Sequence, residues 1–393
     1  MSRPHLRSDA ARLAAVLLAA LNLRGAIAAV GPVLPELRAD LDLSPEAAGL
    51  LTTLPVLCFA VLAPAGAWLG QRLGTGTAVL AGLVTVAVGT VLRVLGGPPL
   101  LFAGTFLVGA AMTVGNVLLP VVVKREFGRR AGIVTGLYTA ALAAGAALTA
   151  AFTAPIAALG GWRLGLAVWA VVALVAAVGW VAVFPPRDPA VPVPEAIPPS
   201  GVPTVVWRSP VAWAVTAVLA MQSALYYAVT TWLPSLLAED LGVDLATAAF
   251  AASAFQVLGI PGALAIPALL GRWRGQTGLA AAVALAWGVL PAGLLIWPAA
   301  WPAWVIVGGV AQGAGISLAF ALVVLRSADD GVVRRLSGMS QLVGYGVGAA
   351  APLAVGALYS ATGGWAAPLA LLVAVAAAHG AAGVVAGRSR AIG

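Results

Sequence analysis

Twelve long apolar runs follow one another along this chain, and no other feature restricts its fold as strongly. They lie at about 12–35, 47–70, 76–95, 98–123, 131–157, 163–184, 210–237, 246–270, 277–297, 301–325, 335–361 and 365–386. Each supplies the roughly twenty mostly apolar residues that a helix needs to cross a bilayer. A soluble domain carries roughly a quarter charged residues to cover its surface. Here only 9% of residues are charged and 62% are hydrophobic, so the outer surface has to meet lipid. A bilayer admits only helices and closed barrels. Barrel strands alternate apolar and polar positions, whereas stretches such as Ala167–Ala182 are apolar all round. The expected fold class is an all-α integral membrane protein of twelve transmembrane helices.

The net charge of +8 sorts by loop. With a cytoplasmic N-terminus, seventeen of the twenty-one basic residues fall on the inner side, and only Arg38 and Arg163 in outer loops. That is the positive-inside pattern of a membrane protein, not the clustered basic face of a nucleic-acid binder. The expectation is a multi-pass protein of the cell membrane with both termini in the cytoplasm. Asn22 and Arg24 interrupt the first run, which is too long for a signal peptide and reads as the first helix of the mature protein.

Residues 185–210 contain nine prolines, an extended and semi-rigid composition. The expected organisation is an N-terminal six-helix bundle (1–184), a cytoplasmic linker (185–209) and a C-terminal six-helix bundle (210–393). The halves are weakly alike. Ala47–Gly74 ends Leu-Gly-Gln-Arg-Leu-Gly and Ala248–Gly275 ends Leu-Gly-Arg-Trp-Arg-Gly. Thr135-Gly136 with Gly160-Gly161-Trp162 has a counterpart in Ser337-Gly338 with Gly363-Gly364-Trp365, about 202 residues on. Internal repeats around a midplane site are typical of secondary transporters.

Lys124 is the only lysine and Val123 precedes it, so the chain has no Gly-Lys-Ser/Thr phosphate loop. Cys58 is the only cysteine and the two histidines, His5 and His379, are far apart, which argues against a metal or haem centre. No Gly-x-Ser-x-Gly elbow is present. Neither an enzyme nor a cofactor is expected. The expected partners are the bilayer and a small-molecule substrate, with no nucleic acid, and the chain is expected to act as a monomer.

Arg24 is the most informative residue. An arginine at the centre of a span costs about 2.5–3.5 kcal/mol on insertion scales. It should therefore face a wet cavity or a partner, and all thirteen acids lie in loops or at span ends. The ligand suited to such a guanidinium is an anion or a neutral group rich in acceptors. A buried ion pair is the structural alternative. Glu36, at the outer end of span one, is the nearest candidate for proton coupling, and equally reads as a hydrated helix-end acid. Asn22 lies one turn before Ala26 in the same span. Span seven carries Gln222, Tyr226 and Tyr227, with Gln222 and Tyr226 on one face. Further polar residues at mid-depth are Asn116, Tyr138, Gln256, Gln312, Gln341 and Tyr345. Each alone is more often an interhelical hydrogen bond than a ligand contact; together they could build a small, mostly neutral pocket around one positive charge. Trp232 is expected in the interfacial belt, and Arg93 is expected to reach the headgroups as an anchor.

The run Leu21-Asn-Leu-Arg24-Gly-Ala-Ile, followed by Val30-Gly-Pro-Val-Leu-Pro35-Glu36, resembles the cyanate and 2-nitroimidazole transporter family of the major facilitator superfamily. Gly49–Phe59, Gly115–Pro120, Thr135–Thr139 and Tyr226–Pro234 resemble its second, fourth, fifth and seventh spans. The superfamily's loop between spans two and three normally carries an acid where this chain has Gly70, before Gln71 and Arg72. The resemblance implies two pseudo-symmetric six-helix bundles with a cavity that opens alternately to each side. It also implies a small anionic or polar solute such as cyanate as substrate. An exporter of small neutral aromatic compounds such as nitroimidazoles is the same-class alternative; a channel or receptor is the alternative from a different class.

Overall fold

The computed structural model describes residues 9–127, 131–184, 205–272, 276–328, 330–388 and 392. The proline-rich stretch 185–204 lies outside them. Among the described residues the regular structure is helical, apart from one isolated bridge between Ser327 and Ile392. The helices are α1 (Asp9–Ala28), α2 (Leu34–Leu41), α3 (Pro45–Val61), α4 (Ala63–Leu73), α5 (Thr75–Leu92), α6 (Pro98–Phe127), α7 (Ala131–Ala167), α8 (Trp169–Val183), α9 (Val205–Arg208), α10 (Pro210–Glu239), α11 (Leu245–Arg272), α12 (Gln276–Ile296), α13 (Trp301–Leu325), α14 (Asp330–Thr362) and α15 (Ala366–Arg388).

Ten helical stretches among the described residues are long and apolar enough to cross a membrane, the first running Asp9–Leu41 through a short turn. The pair α3 and α4, bent by 63°, makes an eleventh. The remaining run, 163–184, is divided. The chain turns at Gly160-Gly161, where Gly161 has φ 80°, a left-handed conformation open to glycine. The helix then resumes through Trp162 and is interrupted once more before α8, which leaves α8 short. Twelve crossings thus fit the sequence runs.

Close packing divides the chain into two compact units. One takes in residues up to Val33 together with those from Val61 to the proline-rich stretch; the other takes in Leu34–Ala60 and the later half. In the first unit α1 packs on α7 and α8, α5 on α6 and α8, and α4 on α6. In the second, α10 packs on α14 and α15, α12 on α13 and α15, and α11 on α13. The pairing scheme is the same in both. The turn after the first span recurs after the seventh: Asp42 (φ 50°) follows α2 and Gly242 (φ 63°) follows α10, both in left-handed conformations. Ser44 Oγ then accepts the Ala47 N–H at 3.2 Å, and Asp244 Oδ1 accepts the Thr247 N–H at 3.0 Å, as helix N-caps.

Small residues let the helices approach. A Cβ at Gly25 would lie 2.9 Å from the Thr149 side chain, and one at Gly145 would overlap the Leu21 carbonyl, so α1 and α7 touch backbone to backbone. A Cβ at Gly313 of α13 would overlap the Gly259 carbonyl of α11 in the same way.

Two expectations change. Arg93 is 1% exposed and cannot anchor at headgroups. Trp232 is buried, donates to the Pro352 carbonyl at 2.9 Å and meets the Trp365 ring edge-on, so it belongs to the core of the second unit and not to an interfacial belt. Where the loop acid is missing, the Arg72 guanidinium lies 5.0 Å from the Trp68 ring centre, a cation–π contact.

Candidate functional site

The polar residues at mid-span fall into two sets, one in each unit. In the first unit they stand on α1, α6 and α7. Leu23 of α1 packs directly on Gly115 of α6, where a Cβ would meet its methyl groups, and this sets Arg24 and Asn116 on adjoining stretches of the two helices. Both are half-buried, and Tyr138 of α7 is buried.

Asn22 and Arg24 do not act together. Two residues along a helix turn the side chain by about 200°. The Asn22 amide donates to the Leu18 carbonyl at 2.9 Å and lines a cavity of about 50 Å³ inside the unit, together with Gly25, Ala26, Thr90, Thr149 and Trp169. Arg24 points from the other side of α1. The sequence suggests a guanidinium without a protein partner, but Arg24 interacts with other groups of the protein. A half-buried group with five donors finds acceptors wherever they exist.

In the second unit, four of the expected residues, Gln222, Tyr226, Gln256 and Gln312, form one network. Gln222 of α10 donates through Nε2 to the Gln312 carbonyl of α13 at 2.8 Å. Its Oε1 accepts the indole N–H of Trp287 of α12 at 2.7 Å. Gln256 of α11 accepts from the Tyr226 hydroxyl at 3.1 Å and donates to Thr230 Oγ1 at 3.2 Å. Gln312 donates to the Phe255 carbonyl at 3.3 Å. All three amides are nearly inaccessible. This is interhelical bonding that ties four helices together. Trp287 is the member that sequence reading missed; a single tryptophan in an apolar run carries no signal that distinguishes it from packing.

The Tyr226 and Tyr227 rings meet edge-on with centres 5.1 Å apart, and Phe255 stacks on Tyr226 at 6.5 Å. Gln341 and Tyr345 share one face of α14 and are half-buried. Gln341 donates to Ser337 Oγ at 2.9 Å, and Tyr345 meets Phe59 edge-on at 6.4 Å. Glu36 is exposed on α2. Of the expected residues, therefore, Arg24, Asn116, Gln341 and Tyr345 keep partly open surface, while Asn22, Tyr138, Gln222, Tyr226, Tyr227, Gln256 and Gln312 are buried.

Residues 16–352 match the Major Facilitator Superfamily family model. The chain belongs to the Major Facilitator Superfamily. Similar chains are the uncharacterized transporter YycB of Bacillus subtilis (strain 168), 38% identical over 95% of this chain and 93% of that one, and the 2-nitroimidazole transporter of Escherichia coli (strain K12), 34% identical over 91% and 90%. The cyanate transport protein CynX of the same bacterium is 31% identical over 90% and 91%. Among solved structures, the nucleoside transporter NupG superposes with a TM-score of 0.76 at 12% identity over 95% of this chain and 99% of that one. A bacterial homologue of the lysosomal transporter Spinster superposes with 0.74 at 16% identity over 97% and 98%. These two likenesses establish the superfamily fold. The protein is a multi-pass membrane transporter of this superfamily and not an enzyme.

Proposed function

We propose that this superfamily member is a secondary transporter of a small anionic or polar solute, working by alternating access with Arg24 as the principal recognition group. One observation carries the reading. The mid-span amides of Gln222, Gln256 and Gln312 are already committed to bonds between helices, whereas Arg24 stays half-buried in the middle of span one. A guanidinium has five donors, so it can hold a protein acceptor and still present a fork to a solute. Asn116 is the neighbouring polar side chain on α6. Relatives named for cyanate and 2-nitroimidazole favour small solutes. The cell membrane, with both termini in the cytoplasm, is the location consistent with the distribution of basic residues.

The neutral aromatic alternative has its own support: the relative named for 2-nitroimidazole, and the Tyr226–Tyr227–Phe255 cluster. A thermal-shift panel on the purified protein separates the two readings. Cyanate and other small anions should stabilise the wild type, and the shift should vanish in Arg24→Ala. A charged hydrogen bond is worth about 1.5–3 kcal/mol, so affinity should fall about ten- to a hundredfold. Stabilisation by 2-nitroimidazole alone, unchanged in Arg24→Ala, would favour the aromatic alternative.

A further inference from the structure

We infer that Arg93 is a positioning residue that clamps the carbonyl end of α1 and thereby fixes the turn carrying Arg24; the functional weight of that turn rests on the reading above. The case begins with backbone accounting, since every buried carbonyl needs a donor. Helix α1 ends at Ala28 and the chain passes through a single 3-10 turn, Gly31–Val33. In an uninterrupted helix the Ala26 carbonyl would accept from the Val30 N–H. Here the Val30 N–H goes to the Ile27 carbonyl at 3.2 Å. The guanidinium of Arg93 takes its place, with Nη1 donating to the Ala26 carbonyl at 3.1 Å. Ala26 is two residues beyond Arg24.

The surroundings fit a clamp. The end of α1 carries the partial negative charge of its unpaired carbonyls, which favours a cation there. Arg93 itself closes α5 as its C-cap, so its side chain leaves from a second carbonyl-rich end. Gly104 of α6 covers it: a Cβ there would come within 2.7 Å of the Arg93 Cβ, so only glycine lets α6 close over the arginine. Among the described residues, Nε and Nη2 of Arg93 have no hydrogen-bond partner. Burying them is unfavourable, so stability alone does not account for arginine at this position. An unbranched side chain without the charge, such as methionine, would relieve that penalty and would lose the clamp.

Arg93→Met and Arg93→Lys in the full-length protein test this by hydrogen–deuterium exchange and by uptake kinetics in proteoliposomes, with cyanate and 2-nitroimidazole as probes. We expect Arg93→Met to fold and melt close to the wild type. Amide exchange over residues 24–30 should rise about tenfold, because local opening there is no longer restrained, while the rest of the first unit is unchanged. KM for the transported probe should rise in Arg93→Met, and Arg93→Lys should restore part of both effects. Unchanged exchange over 24–30, or an equal rise throughout the unit, would overturn the clamp. A localised rise with unchanged KM would overturn the link to Arg24. If the wild type carries neither probe, the solute reading of Arg24 fails, and the exchange pattern still decides the clamp.

Discussion

At Gln222 both ends of the amide are in use, one on the Gln312 carbonyl and one on the Trp287 indole. Such a group shapes the wall of a site without being free to meet a solute. Trp287→Phe tests this assignment. It leaves Gln222 Oε1 without its donor, and interhelical hydrogen bonds in membranes average about 0.6 kcal/mol and reach about 1.7. The expected outcome is a loss of thermal stability of that order with substrate preference unchanged; altered preference would place the network in the binding site instead. The polar residue types were legible in the sequence, but their commitments were not. A glutamine in an apolar run reads the same whether its amide is spent or open. Asn22 and Arg24 show the limit in another way. Both interrupt the first apolar run, and helical rotation puts them on opposite sides of α1. Arg93 looked like an interfacial anchor because it stands near a span end; its burial depends on Gly104, which belongs to the next helix.

At the scale of elements, glycine decides which helices can touch. Gly313→Val should separate α13 from α11, because the Gly259 carbonyl already occupies the space, and little folded protein should be recovered from detergent extracts. Gly346→Ala is the matched control: nothing lies within 4 Å of a Cβ there, so expression and melting should stay at wild-type levels. The two N-caps after the left-handed turns make a second contrast. The Thr247 side chain and N–H hold the Asp244 carboxyl below the usual carboxylate range. A carboxylate with a lowered folded-state pKa contributes stability above its unfolded value, and loses it as pH falls through the folded one. Acidification should therefore fray the start of α11 through its cap, and that of α3 through Glu46, whose carboxyl Ser360 and Ser44 hold low beside the uncharged Ser44 cap. Exchange of the two segments across an acid titration would show it; a start of α11 insensitive to pH would contradict the assignment. Helix existence was plain from the apolar runs. The breaks were less so, since Gly31-Pro32 interrupts the first run and the break before α8 interrupts the sixth, and hydropathy alone joins both.

The whole molecule repeats itself. The same helix pairings occur in both units, and left-handed residues recur at Asp42 and Gly242 and at Gly161 and Gly363. The glycine-tryptophan part of this repeat was legible, because the residue types match. The Asp42 and Gly242 turns were not, because two different residues serve one backbone conformation. The grouping of Leu34–Ala60 with the later helices has no mark in composition. It rests on contacts such as Thr53 Oγ1 to the Ala349 carbonyl and Thr231 Oγ1 to Thr52 Oγ1 at 2.8 Å. Superfamily membership follows from the whole chain, whereas the solute depends on one guanidinium. Counterflow of labelled cyanate in proteoliposomes measures that dependence directly. The wild type should exchange label and Arg24→Ala, reconstituted to equal density, should not; equal exchange by both would contradict the role given to Arg24.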